Sequence, residues 1–157
     1  MVLKLDYKKL IKNLSIPLIT GITSALLTRS GVESFMETVN KPAFSPPEWL
    51  FPVVWTILYV LMGISTYIIE SNSDSKSNKG FIFYYLQLFF NFFWSFIFFN
   101  SQAYLASFIW IIILLMLIIL TTIEFNKVNK AAAYLLIPYI LWVAFASILN
   151  LSIYLIN

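Results

Sequence analysis

The residues of this chain that could form a reactive or binding surface are aromatic, and they follow a proline-rich stretch. Trp55, Tyr59 and Met62 lie at helical spacing, so they share one face of a predicted helix. Residues 40–49, just before them, contain three prolines, and proline fixes φ and removes a backbone donor. A stiff loop beside an aromatic helix face could form a lid over a flat apolar ligand.

The chain has few residues that could support nucleophilic, acid–base or metal chemistry. The chain has no cysteine and no histidine, which excludes disulfides, thiolate nucleophiles, Cys/His zinc sites and imidazole bases. No nucleophile–base pair or paired carboxylates stand out, so we expect no metal and no required cofactor. The formal net charge of +3 arises from lysines in hydrophilic ends and loops, which membrane topology explains better than a nucleic-acid partner does.

The composition indicates an integral membrane protein. Hydrophobic residues make up 61% of the 157 residues and charged residues 11%, whereas soluble domains are about half apolar and about a quarter charged. We predict a single all-α domain over residues 1–157, a bundle of five transmembrane helices of about 20 residues each. The predicted spans are residues 13–30, 49–69, 81–100, 104–123 and 131–155.

The distribution of basic residues predicts the orientation of the bundle. If the N-terminus is inside, the outer segments contain only Arg29 and Lys41, which is a strong positive-inside bias. The C-terminus and the proline loop would then lie outside, and no Ala-x-Ala-like site follows the first helix, so we expect it to stay uncleaved. The inner segments hold Lys4, Lys8, Lys9, Lys12, Lys76, Lys79, Lys127 and Lys130.

Two predicted spans carry stripes of polar and aromatic residues at helical spacing. Such side chains are costly when they face lipid, so both stripes should face the interior of the bundle. Gln87 and Asn150 are expected to make hydrogen bonds between helices. The stripes are Gln87, Asn91, Trp94, Ser95 and Phe98 in the third span, and Tyr139, Trp142, Ala146 and Asn150 in the fifth.

The fourth span is expected to contact lipid, and the positions of the ionisable residues disfavour ion-coupled transport. Residues 109–123 are apolar all round and should face lipid, with Trp110 facing lipid or a dimer partner. Arg29, Glu70 and Glu124 all lie at span ends, which disfavours ion-coupled transport, since that needs an ionisable group near the midplane.

With these motifs in order, the chain resembles the TspO/MBR family, whose members are called translocator proteins or tryptophan-rich sensory proteins. The resemblance extends over essentially the whole chain. The matching residues are Lys41-Pro42, Pro46-Pro47, Trp49, Phe51-Pro52, Trp55-Thr56, Leu58-Tyr59 and Met62-Gly63, then Asn91, Trp94 and Ser95, and finally Pro138-Tyr139, Trp142, Phe145-Ala146 and Asn150.

The resemblance implies a bacterial multi-pass membrane protein, usually a homodimer, that binds a porphyrin such as protoporphyrin in one pocket under the first loop. Family members commonly have Trp-Tyr where this chain has Phe35-Met36, so an indole donor is lost there. The implied ligand-binding residues are Trp55, Tyr59, Asn91, Trp94, Ser95, Trp142 and Ala146. The implied lid residues are Phe35, Lys41, Pro42, Phe44, Pro46, Pro47 and Trp49, with Trp49 equally suited to anchoring at the membrane interface.

Three functional alternatives remain open from the sequence. Binding of a flat hydrophobic ligand, with an effect on tetrapyrrole transport or turnover, is favoured. A light-dependent porphyrin-degrading enzyme would use Trp142 and Trp55 as redox partners, and a ligand-responsive scaffold would regulate another membrane protein. Cholesterol recognition is not supported, because no basic residue follows Tyr154.

Overall fold

The computed structural model describes residues 5–72 and 78–157, and every regular element in these ranges is helical, as predicted. The last turns of α4 widen into a π-helix over Phe96–Asn100. The helices are α1 Tyr7–Leu27, α2 Arg29–Thr38, α3 Leu50–Asn72, α4 Asn78–Ser95, α5 Tyr104–Asn126, α6 Lys130–Tyr134 and α7 Ile137–Ile156.

Five helical segments in the described ranges are long and apolar enough to cross a membrane, and each corresponds to one predicted span. The protein is therefore a multi-pass membrane protein. Part of the loop predicted at 70–80 lies outside the described residues, because α3 ends at Asn72 and α4 begins at Asn78. The five segments are Tyr7–Leu27, Leu50–Asn72, Lys79–Asn100, Tyr104–Asn126 and Lys130–Ile156.

The first span begins six residues earlier than the hydropathy pattern predicts. The side chain of Asp6 accepts hydrogen bonds from the backbone N–H groups of Lys8 and Lys9, at 3.1 and 3.2 Å. This N-cap satisfies donors that would otherwise be unpaired, so the helix starts within the basic segment. At the same end of the bundle, the Glu70 carboxylate binds Lys12 at 2.7 Å and Asn13 at 2.5 Å, which joins α1 to α3.

Helix α2 was not predicted, since its ten residues are mostly polar. Gly31 and Phe35 lie four positions apart and both are buried on the face that meets the π-helix. The Phe35 ring centroid lies 5.2 Å from that of Phe98 and 5.3 Å from that of Phe99. Burial of this one face holds α2 over the end of the bundle that lies away from the start of α1.

The spans pack as a ring. Helix α1 contacts α3 and α4, α5 lies between α4 and α7, and α6 returns to α3. The fifth span breaks after Tyr134, just before Pro138, which has no N–H to continue the helical pattern. At this break Ser65 Oγ donates a hydrogen bond to the Ala132 carbonyl at 2.8 Å, so α3 and α6 close the end of the ring that lies away from the lid.

The fourth span, apolar all round and predicted to face lipid, is exposed on one side only. One face of α5 is buried against α4 and α7. Trp110 also packs within the chain: its indole N–H donates to the Phe90 carbonyl at 2.7 Å and its ring stacks on Phe90 at 4.3 Å. A uniformly apolar sequence cannot distinguish a face that packs from one that meets lipid. The buried residues are Ser107, Ile111, Leu114, Ile118, Thr121 and Phe125.

Gly63 allows the close approach of α1 and α3. A Cβ at this position would lie 2.8 Å from Leu14 Cα and 2.9 Å from the Asn13 carbonyl oxygen, both backbone atoms that can yield only if a helix moves. We expect Gly63→Val to destabilise the fold by about 1–3 kcal/mol, as overpacking does in cores. Thermal unfolding in detergent, followed by circular dichroism, measures this against Ala106→Val at an exposed site on α5. Equal midpoints for the two variants would contradict the packing.

Candidate ligand-binding site

A cavity of about 720 Å³ lies between α1, α3, α4 and α7, beneath α2 and the segment 39–49. Its volume is within the range of about 300–1,000 Å³ that is usual for small-molecule pockets. All seven residues predicted to bind ligand line this one cavity: Trp55 and Tyr59 from α3, Asn91, Trp94 and Ser95 from α4, and Trp142 and Ala146 from α7.

Three indole rings form the aromatic wall of the cavity, and packing fixes each of them. Trp55 stacks on Tyr59 with ring centroids 5.7 Å apart, and Trp142 meets Phe51 edge-on at 5.8 Å. Trp94 stacks on Phe98 at 4.9 Å. Offset-stacked and edge-to-face geometries are those that aromatic pairs prefer, so the wall is held rigid before any ligand arrives.

The floor of the cavity is a chain of buried hydrogen bonds across three helices. Tyr59 donates to Asn91 Oδ1 at 2.7 Å, Asn91 Nδ2 donates to the Tyr139 hydroxyl at 2.9 Å, and Tyr139 donates to Gln87 Oε1 at 2.7 Å. Each of these four side chains is at least nine-tenths buried. The polar atoms of Tyr59 and Asn91 are therefore paired within the protein, and both residues serve the site by holding α3, α4 and α7 together.

Gln87 and Asn150 link helices, as predicted. Asn150 accepts a hydrogen bond from Trp94 Nε1 at 3.1 Å and donates to the Tyr104 carbonyl at 2.9 Å. It thus fixes the orientation of the Trp94 indole while joining α7 to the start of α5. The indole N–H of Trp142 is buried and has no hydrogen-bond partner among the described residues.

The lid is only partly as predicted. Phe35, Lys41 and Pro46 line the cavity, whereas Pro42, Phe44, Pro47 and Trp49 do not. Trp49 is 66% exposed, which favours its role as an anchor at the membrane interface. Phe44 instead meets Phe145 of α7 edge-on at 6.4 Å. The prediction treated the loop as one surface, but in an irregular segment only some side chains turn inward.

Side chains hold both ends of the lid. The Asn157 amide accepts from the Asn40 N–H and donates to the Asn40 carbonyl, each at 3.0 Å. This pair of hydrogen bonds joins Asn40, which directly precedes Lys41 of the lid, to the end of α7. Lys41 then reaches Glu48 at 3.0 Å, which joins the start of the lid to its far end.

The contribution of α1 to the cavity wall was not predicted. Small residues on one face of α1, with the residue that follows it, line the cavity: Gly21, Ser24, Ala25 and Thr28. A Cβ at Gly21 would overlap the Tyr59 ring, so only glycine lets Tyr59 lie flat against α1. The spacing of these small residues is helical, and that pattern could have identified the wall from the sequence.

Charged side chains form the outer rim of the cavity. They are Arg29, Glu33, Glu37, Lys41 and Glu48. Arg29 pairs with Glu33 at 3.1 Å and Lys41 with Glu48 at 3.0 Å, so both rim cations contact carboxylates of the chain. No group of three or more acidic, His or Cys side chains is suitably placed to hold a metal within residues 5–72 and 78–157. The arrangement provides apolar contact and aromatic faces inside the cavity, and charged groups at its entrance.

Comparison with known proteins identifies the family. The sequence profile of the TspO/MBR family matches residues 13–155, which include most or all of each span and the whole cavity lining. The chain belongs to the TspO/MBR family.

Named relatives support this membership. The tryptophan-rich protein TspO of Chlorobaculum tepidum is 38% identical over 142 residues, covering 89% of this chain and 90% of the relative. The protein of the same name from Archaeoglobus fulgidus is 39% identical over 149 residues, covering 95% and 97%. The human translocator protein is 30% identical over 119 residues, covering 74% and 70%.

The hydrogen-bonded floor gives a first prediction for the site. Tyr139→Phe removes a hydroxyl that pairs both Asn91 and Gln87, and leaving buried polar groups unpaired costs about 1–3 kcal/mol. We expect a lower thermal unfolding midpoint in detergent than for Tyr134→Phe, which removes the same atom from a residue that is 62% exposed. A midpoint unchanged in both variants would show that the network does not stabilise the bundle.

The tether at Asn157 gives a second prediction. Asn157→Ala removes both hydrogen bonds to Asn40, so amides of residues 40–49 should exchange with solvent faster. Hydrogen–deuterium exchange with mass spectrometry measures this on peptides covering the lid. Ser152→Ala is the matched control, because Ser152 lies on the same helix and bonds only within it, to Ile148. Equal lid exchange in the two variants would mean that the tether does not restrain the lid.

Proposed function

We propose that this protein binds a flat hydrophobic ligand, best represented by a porphyrin such as protoporphyrin, and thereby affects tetrapyrrole transport or turnover. The observation that carries the proposal is the convergence of Trp55, Trp94 and Trp142 on a single cavity. These residues come from three different helices, so only the folded bundle brings the three indoles together.

The chemistry of a tetrapyrrole suits the two ends of this cavity. Its macrocycle is a flat apolar disc, and burying it between indole faces would gain roughly 25 cal/mol per Å² of apolar surface. Its carboxylates lie on one edge and would remain at the rim, where Arg29 and Lys41 lie. The buried floor offers no charged group, so the polar edge has only one favourable orientation.

The setting of this function follows from the family. Relatives in Chlorobaculum tepidum and Archaeoglobus fulgidus support a prokaryotic cell membrane, and we favour a bacterial one. Other relatives carry the names "translocator protein" and "tryptophan-rich sensory protein", which fit the movement or sensing of a ligand. The homodimer implied by the family stays a prediction.

Substitution of a wall tryptophan tests the proposal. Trp142→Ala should weaken protoporphyrin binding by about tenfold or more, the effect of losing a central aromatic contact. Quenching of intrinsic fluorescence in a titration measures the affinity, and circular dichroism verifies the fold. Trp49→Ala is the control, since Trp49 lies outside the cavity and its loss should leave affinity unchanged.

The outcomes distinguish the site from a non-specific effect. Equal affinities for Trp142→Ala and the unmodified protein would remove Trp142 from the site. A screen of protoporphyrin, haem and a sterol for thermal stabilisation then tests the ligand class, because a ligand that binds the folded state raises its unfolding midpoint. Stabilisation by the sterol alone would contradict the porphyrin assignment.

A further inference from the structure

Lys41 occupies an unusual place at the rim of the cavity. Its ammonium group lies 3.0 Å from Glu48 Oε1 and 3.1 Å from the Met36 sulfur. It also lies 5.9 Å from the centre of the buried Phe35 ring, within reach of a cation–π interaction. The Lys41 side chain is 29% exposed and that of Glu48 is 64% exposed, so the cation is held against the wall of the cavity while its partner reaches it from the solvent side.

The second rim cation is held much less firmly. In the Arg29–Glu33 pair the two side chains are 79% and 63% exposed, and the pair lies along one helix. Water and salt screen such exposed pairs strongly. A ligand carboxylate at the mouth of the cavity would therefore interact chiefly with Lys41, whose environment is drier.

Glu48 already pairs with the Lys41 ammonium group that such a carboxylate would need. We propose that Glu48 is an internal counter-ion that competes with a ligand carboxylate for Lys41, so that the rim selects ligands by charge. This inference rests on the proposed function. A ligand with free carboxylates has to displace Glu48, whereas a neutral ligand of the same shape leaves the Lys41–Glu48 pair intact.

The charge balance of the rim strengthens this selection. Three carboxylates, those of Glu33, Glu37 and Glu48, face only two cations, Arg29 and Lys41. The rim therefore has a formal excess of one negative charge, which weakens the attraction of Arg29 and Lys41 for a dianionic ligand. Like charges brought together at an interface oppose binding and separate wrong partners from right ones.

Replacement of Glu48 by a ligand carboxylate at Lys41 would also affect the closure of the lid. Lys41 and Glu48 lie at opposite ends of the lid, and their ion pair spans it. A ligand carboxylate that takes Lys41 frees Glu48, so the carboxylate ligand would be held beneath a less tightly closed lid than its neutral counterpart. The Asn157–Asn40 tether remains in either case.

A pair of probes that differ only in charge tests the proposal. The full-length protein and its Glu48→Gln variant are titrated with protoporphyrin and with its dimethyl ester, which keeps the macrocycle and lacks the carboxylates. We expect Glu48→Gln to raise affinity for the diacid by about two- to fivefold, the scale of one partly exposed ion pair, and to leave affinity for the ester unchanged. The gain should shrink as salt increases.

Two further variants separate the ion pair from general electrostatics. Glu33→Gln removes the same charge from the exposed pair and should have a clearly smaller effect on the diacid. Lys41→Gln should lower affinity for the diacid more than for the ester. Equal effects of Glu48→Gln and Glu33→Gln, or equal effects of Glu48→Gln on both probes, would overturn the proposal.

Failure of the inference is distinguishable from failure of the proposed function. If the unmodified protein binds both probes and Glu48→Gln does not change their ratio, only the counter-ion role is wrong. If the unmodified protein binds neither probe, the porphyrin assignment is wrong and this inference falls with it.

Discussion

Lipid offers no hydrogen-bond partners, so most polar groups in the interior of a membrane-spanning bundle are paired within the protein. Here the Tyr59–Asn91–Tyr139–Gln87 chain meets that constraint and sets the separation of α3, α4 and α7 at one level. On the lid side of these hydrogen bonds, the three helices present tryptophan side chains that surround a cavity, where other bundles would have a filled core. The cavity thus depends on the same hydrogen bonds that hold the bundle together.

Hydropathy was sufficient to predict the five spans, and helical period placed the polar and aromatic stripes on inward faces. The seven expected binding residues, all of which line the cavity, were implied by the family resemblance. Apolar length identifies a span, and positions three or four apart share a face whatever their neighbours are. The same information could not predict α2, because its mostly polar residues become helical only where Phe35 packs on Phe98 and Phe99. The change from α-helix to π-helix at residues 96–100 likewise could not be predicted, because this segment is as apolar as the helix before it.

The partners of individual polar atoms were harder to predict than their positions. Spacing placed Asn91 on the inward face of its helix but could not show that both ends of its amide are bonded to tyrosines. The Asn40–Asn157 pair joins residues 117 positions apart, a contact that only the closed ring of helices creates. The lid residues have no helical period, so the sequence could not show which of them turn inward.

The closed floor has a consequence for how a ligand could travel. Below Tyr59 and Asn91 the bundle is filled by Met62 and Leu136, each almost completely buried. The cavity is therefore closed at its inner end. A straight path through the bundle would require breaking the hydrogen bonds that join Asn91 to Tyr59 and Tyr139. A ligand that enters past the rim would have to leave through the rim again, or laterally between helices into the lipid.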